Sequence, residues 1–98
     1  MKAGTLIVAR KYRISGRVQG VGFRYFAEHA ASALGLRGYV KNSWDGSVEV
    51  YAVGEPAWLE DFKRRLAQGP RSALVTRIDE SDEPVDRRYT AFVIEGGW

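Results

Sequence analysis

Gly16-Arg17-Val18-Gln19-Gly20-Val21-Gly22-Phe23-Arg24 is where the chain changes its period. Before it, Leu6 to Ser15 alternates in character, with Val8, Tyr12 and Ile14 on one face beside Arg10, and reads as a strand. After it, Phe23, Ala27, Ala30 and Leu34 recur at helical spacing, widened by Phe26 and Ala31, and Gly35 is placed to end the helix. Glycines between a strand and a helix let backbone N–H groups turn toward an oxyanion, and the helix start adds about half an elementary positive charge. Arg24, in the first helical turn, adds a planar and permanently charged fork suited to phosphate. The flanking arginines favour an anion cradle over a plain turn without a ligand.

Better-known glycine loops do not fit. A Walker loop needs Gly-x-x-x-x-Gly-Lys-Ser/Thr, and a dinucleotide fingerprint begun at Gly20 and Gly22 would need glycine or alanine where Tyr25 stands.

Outward from the loop, Leu36 to Asn42 and Ser47 to Val53 are β-rich runs separated by Ser43-Trp44-Asp45-Gly46, whose Asp-Gly pair signals a hairpin. Pro56 stands near the start of a second helix with Leu59, Phe62 and Leu66 as its apolar stripe and Trp58 beside them, closed by Gly69-Pro70. Its outer face offers Glu60 to Arg64 and Asp61 to Arg65 as pairs of about 0.2 to 0.5 kcal/mol each. Ala73 to Glu80 reads as a fourth strand, and the differing parity of Val75 and Ile78 calls for either a bulge or a shifted strand boundary. Ser81 to Arg88 reads as a charged connection, and Tyr89 to Glu95 as a short last strand with Phe92 and Ile94 inward. Met1 to Thr5 reads as a loose tail, and the glycine-rich ending through Trp98 receives no role.

The order β-α-β-β-α-β plus a short terminal strand predicts an α+β, ferredoxin-like sandwich: an antiparallel sheet with both helices on one face. Ninety-eight residues without a repeat or linker suit one domain spanning 1–98. In this topology the strand after the first helix runs parallel to the first strand with the third between them. Asn42 therefore closes its strand at the edge where the glycine loop closes the first, roughly 9 to 10 Å away.

Composition narrows the chemistry. The chain has no cysteine and a single histidine, His29, which falls on the solvent side of the helix. Disulfides, a thiol nucleophile and thiolate zinc are excluded, and no metal or cofactor is expected. The net charge of +3 divides unevenly, +7 over residues 1–43 and −4 over residues 44–98, so the loop lies in the basic half, which favours an anionic ligand. No apolar run is long enough for a membrane span or signal peptide, so a cytoplasmic protein without membrane contact is expected. Eleven arginines against four lysines are compatible with heat stability.

An anion held by the loop and Arg24 would face the Asn42 carboxamide, which can accept from water and donate to it. The stretch offers no Ser/His/Asp arrangement, no loop lysine and no pair of acid/base carboxylates, which suits an already activated substrate. An acyl phosphate is such a substrate: its carboxylate leaving group needs little protonation, and phosphoryl transfer is served mainly by positioning and charge stabilisation.

At these residues the chain resembles the acylphosphatase family. Gly16 to Arg24 fits the family's first signature, and Gly38-Tyr39-Val40-Lys41-Asn42 with Gly46, Val48 and Gly54 fits the second at the proper spacing. The resemblance covers nearly the whole chain. It implies hydrolysis of acyl phosphates without metal or cofactor, with Arg24 on the substrate phosphate, the loop amides of Gln19, Gly20, Val21, Gly22 and Phe23 cradling it, and Asn42 orienting the attacking water. Related domains also occur inside larger maturation proteins that handle carbamoyl phosphate, but a chain of this length points to the small stand-alone hydrolase, expected to be a monomer that binds no nucleic acid. Two other readings compete: a catalytically silent anion-binding domain, and an RNA-binding sheet that would need Tyr39 and Tyr51 exposed on its open face.

Overall fold

A computed structural model of the protein describes residues 6–96, so the expected loose tail at residues 1–5 and the closing residues 97–98 lie outside the described residues. The elements are β1 (Val8–Arg17), α1 (Phe23–Ala33), β2 (Arg37–Asn42), β3 (Val48–Gly54), α2 (Pro56–Gln68), β4 (Leu74–Glu83) and β5 (Phe92–Ile94). They build one five-stranded sheet in the order β4-β1-β3-β2-β5. The pairs β1/β3, β1/β4 and β2/β3 are antiparallel as expected, and β5 joins β2 in parallel, which makes the sheet mixed.

Period decides which side chains meet. On β1, Tyr12 and Ile14 face the helices, and they join Val40, Val48, Val50 and Ala52 of the sheet, Phe23, Ala27 and Ala31 of α1, and Leu59, Phe62 and Leu66 of α2 in one core. Phe62 meets Tyr12 and Phe92 edge-on, at ring centroid distances of 6.2 and 5.8 Å. Burying a side chain such as Leu59 or Phe62 stabilises the fold by about 1.5–3 kcal/mol.

The opposite face carries a smaller cluster of Ala9, Tyr51 and Val53, packed with Tyr39, Val85 and Tyr89. The Tyr51 hydroxyl donates to the Pro84 carbonyl at 2.6 Å and accepts from the Asp86 N–H at 2.7 Å. The segment after β4 is thereby strapped across this face.

Three sequence expectations are corrected. β4 runs on to Glu83 instead of ending at Glu80, because Ser81, Asp82 and Glu83 keep pairing with Lys11, Arg10 and Ala9. As an edge strand it is paired on one side and tolerates charge. Glu60 does not reach Arg64; it accepts from Arg10 at 2.6 Å, while Asp61 takes Arg64 at 3.3 Å and Arg65 at 3.5 Å. β1 continues to Arg17, past Ser15. The parity clash in β4 is real: Ile14 pairs with Ile78 and Gly16 with Val75, which leaves Thr76 as the extra residue of a bulge.

Candidate active site

The loop between β1 and α1 is footed in the core. Val18 and Phe23 are each 1% exposed, and Val21 packs against the same cluster. The glycines of the segment from 16 to 22 do different work. Gly16, at φ 125°, belongs to β4 as much as to the loop, since a Cβ there would stand 2.0 Å from the Leu74 carbonyl oxygen. Gly20 and Gly22 also have positive φ, 74° and 79°, but a Cβ on either would meet nothing within 4 Å. Open space lies where the cradle is expected.

Gly22 is the N-cap of α1 in the left-handed conformation, and its carbonyl accepts from the Phe26 N–H at 3.1 Å. Among the described residues no side chain caps this helix start. Its first N–H groups have no intrahelical partners and bring the positive end of the helix dipole to the loop.

Asn42 ends β2 and is 8% exposed, on the core-facing parity of Val40 rather than in an exposed turn. Val48 pairs with Asn42 on one side and with Ile14 on the other, so two inter-strand steps, ~9–10 Å, separate the strands that deliver the loop and the carboxamide. The turn after Asn42 is stiff: the Ser43 N–H donates to the Ser47 carbonyl at 2.9 Å and the Gly46 N–H to the Ser43 carbonyl at 3.2 Å. Asp45 accepts from the Ser47 hydroxyl and N–H, and with Arg13 nearby its carboxyl is held below the usual carboxylate range.

One contact was not legible beforehand. The Gln19 side-chain amide donates to the Ser43 carbonyl at 2.9 Å and to the Ser47 carbonyl at 2.8 Å, and so ties the loop to the turn that follows Asn42. The only signal in sequence is a long polar side chain beside a buried valine and a glycine. Arg24 is partly exposed, and its guanidinium donates to the Gly96 carbonyl at 3.4 Å. A cavity of about 620 Å³ opens on this edge, lined by Asn42, Ser43, Trp44 and Gly96 among others; neither Arg24 nor the loop is part of its lining. Arg24 adjoins it through Gly96, and the loop adjoins it through Ser43.

The competing RNA-binding reading needs Tyr39 and Tyr51 free on the open face, and the described residues do not offer that. Tyr51 is 6% exposed beneath the strap, Tyr39 is stacked on it at a centroid distance of 5.6 Å, and Tyr89 leans on both, so neither offers a free ring for a base. Among the described residues no cluster of three or more His, Asp or Glu is placed to hold a metal ion, and no helix is long and apolar enough to cross a membrane. His29 lies exposed beside Glu28.

A family model described as acylphosphatase matches residues 10–94. An acylphosphatase of Koribacter versatilis is 47% identical over 89 residues, which cover 91% of this chain and 81% of that protein. Among solved structures, acylphosphatase from Bacillus subtilis superposes with a TM-score of 0.87 at 34% identity, covering 93% of this chain and all of that one. Full-length HypF in its phosphate- and nucleotide-bound form matches with a TM-score of 0.85 at 30% identity, covering 98% of this chain but 13% of that much longer one.

Proposed function

The chain belongs to the acylphosphatase family, an enzyme family whose identity supports acyl phosphate hydrolysis, and we propose that it hydrolyses the carboxyl–phosphate bond without a metal, using the loop, Arg24 and Asn42. The backbone N–H groups of residues 19–23 and the Arg24 guanidinium hold the three phosphoryl oxygens. Asn42 orients a water in line with the leaving carboxylate. The water oxygen bonds to phosphorus while the bond from phosphorus to the carboxyl oxygen breaks, and that electron pair leaves on the carboxylate. The water's proton passes to a phosphoryl oxygen, giving carboxylate and dihydrogen phosphate. No protein base is required, because the carboxylate is a weak base and the phosphoryl group itself takes the proton.

The observation that carries this reading is the seating of the loop, by the Gln19 side chain, on the turn that follows Asn42. It supports a reading in which an anion cradle faces the nearly buried Asn42 carboxamide. The whole chain acts as one domain on a small-molecule substrate.

The test is hydrolysis of an aryl acyl phosphate in the presence of chelator, by the native chain and by Arg24→Ala and Asn42→Ala, with folding checked by circular dichroism. Native turnover persists in chelator, and each variant loses about 100- to 1,000-fold in kcat/KM, the scale of removing one preorganised group at an oxyanion site. A folded native chain without turnover would overturn the proposal.

A further inference from the structure

We propose that Gln19 is a positioning residue: its side-chain amide fixes the separation between the anion cradle and the Asn42 carboxamide. The inference rests on the acyl phosphate reading of the site. The amide nitrogen carries two hydrogens, and each has a carbonyl, Ser43 at 2.9 Å and Ser47 at 2.8 Å. The orientation of the amide is fixed by this, since an amide oxygen facing two carbonyl oxygens would be repelled. With both hydrogens committed, the side chain has no donor left for a phosphoryl group, which separates its role from that of the loop N–H groups.

The two carbonyls stand on the two arms of one hairpin. Ser43 directly follows Asn42, and Ser47 directly precedes Val48, which pairs with both Asn42 and Ile14. The amide therefore grips a turn already closed by the Ser43 N–H to Ser47 carbonyl bond and by Asp45. On the loop side, Gly20 and Gly22 have no side chain to locate them laterally, and a Cβ on either would meet nothing within 4 Å. Within residues 19–22 the Val21 side chain packs against the core and the Gln19 amide ties the loop to the turn after β2. Val21 anchors the loop to the core, whereas Gln19 anchors it to the arm that bears Asn42.

A water held between phosphate and carboxamide tolerates little drift, because a misplacement near 1 Å costs about 100-fold. Loss of the amide should leave the cradle able to bind an anion while misaligning it with the water.

Gln19→Met keeps length and removes both donors. In the native background it should lower kcat for an aryl acyl phosphate about 10- to 100-fold, while the competitive inhibition constant of inorganic phosphate moves less than about threefold because the N–H groups and Arg24 remain. In the Asn42→Ala background the same substitution should change kcat by less than about threefold, since the group being positioned is already gone. A folded Gln19→Met with native kcat overturns the proposal, and so does an equal loss in both backgrounds, which would make Gln19 an independent scaffold. Should Gln19→Met fail to fold, Gln19→Glu decides: its ionised carboxylate is repelled by both carbonyls and its protonated form donates once. Its rate relative to native should then recover as pH falls through the carboxyl range, and a flat ratio overturns the proposal. A native chain without turnover removes the acyl phosphate reading and this inference with it, an outcome distinct from a native chain that works and a Gln19→Met that works equally well.

Discussion

The loop at residues 18–22 and the turn at residues 43–47 meet at one edge of the sheet, but they are held there by different physics. The loop is held mainly by burial: Val18 and Phe23 are inserted in the core, Val21 packs against it, and open space lies where a Cβ on Gly20 or Gly22 would stand. The turn is held by polar contacts at the surface: Asp45 accepts from Ser47 and from Arg13 at 3.0 Å, and Arg13 also donates to the Ser47 hydroxyl at 3.0 Å. Apolar burial responds little to pH or to charge screening at moderate ionic strength, whereas exposed charged contacts are sensitive to both. A site spanning the two regions has one rigid wall and one tunable wall, and Gln19 is the tie between them.

The largest expected effect breaks the loop side. Phe23→Ala removes a foot of the cradle and should lower stability by about 3–5 kcal/mol in denaturant unfolding. A cost under about 1 kcal/mol would mean that the loop is not held by burial.

Next come the glycines, which divide the loop itself. Gly16→Ala drives a methyl into the Leu74 carbonyl and should destabilise by at least about 1–3 kcal/mol of backbone strain, registered as a lower unfolding midpoint. Gly22→Ala meets no atom and should cost only the left-handed conformation, about 1–2 kcal/mol, while weakening phosphate binding more than Gly16→Ala weakens it in the fraction that folds. The reverse order of phosphate affinities, read by calorimetry, would place the cradle elsewhere in the segment.

The smallest effect sharpens the turn side. The Asp45 carboxyl has a folded pKa below its unfolded value, chiefly because the Ser47 hydroxyl and N–H donate to its charged form. Its contribution to stability is therefore complete above the ordinary carboxylate range and disappears as pH falls through the depressed folded value. Asp45→Asn should unfold slightly earlier than native at neutral pH, and the gap in midpoint should close on acidification. A gap that stays constant with pH would assign the turn's rigidity to something other than charge.

What the sequence could disclose follows from these same differences. The apolar stripe of α1, the Asp-Gly hairpin and the parity conflict in β4 were legible because each is written in local period or in a turn residue, whereas the place of the bulge, opposite Gly16, came only with the pairing to β1. The end of β4 was not, since Ser81, Asp82 and Glu83 on a solvated edge strand carry no alternation of burial. Glu60 was misdirected toward Arg64 because helical spacing sees only its own helix, whereas Arg10 approaches from β1. Asn42 read as the last residue of its strand, and it is, but its burial on the core-facing parity of β2 showed only in the structure. Gln19 read as a backbone donor because hydrogen bonds from one connection to another, 24 and 28 residues apart, leave no trace in spacing.

The pairing of β1 also sets when the loop can exist. β1 lies between β3 and β4, with Arg17 opposite Leu74 and Ala9 opposite Glu83, so the strand that delivers the loop is completed by residues far along the chain. Such non-local closure must overcome loop entropy before contacts reward it, which makes folding slow relative to helical proteins of similar size. On a nascent chain, residues 8–24 would leave the ribosome ahead of residues 74–83 and wait, with one edge of β1 unpaired, until those emerged. The segment proposed to cradle the anion would be synthesised well before the strand that completes it, and would be among the last parts of this domain to take shape.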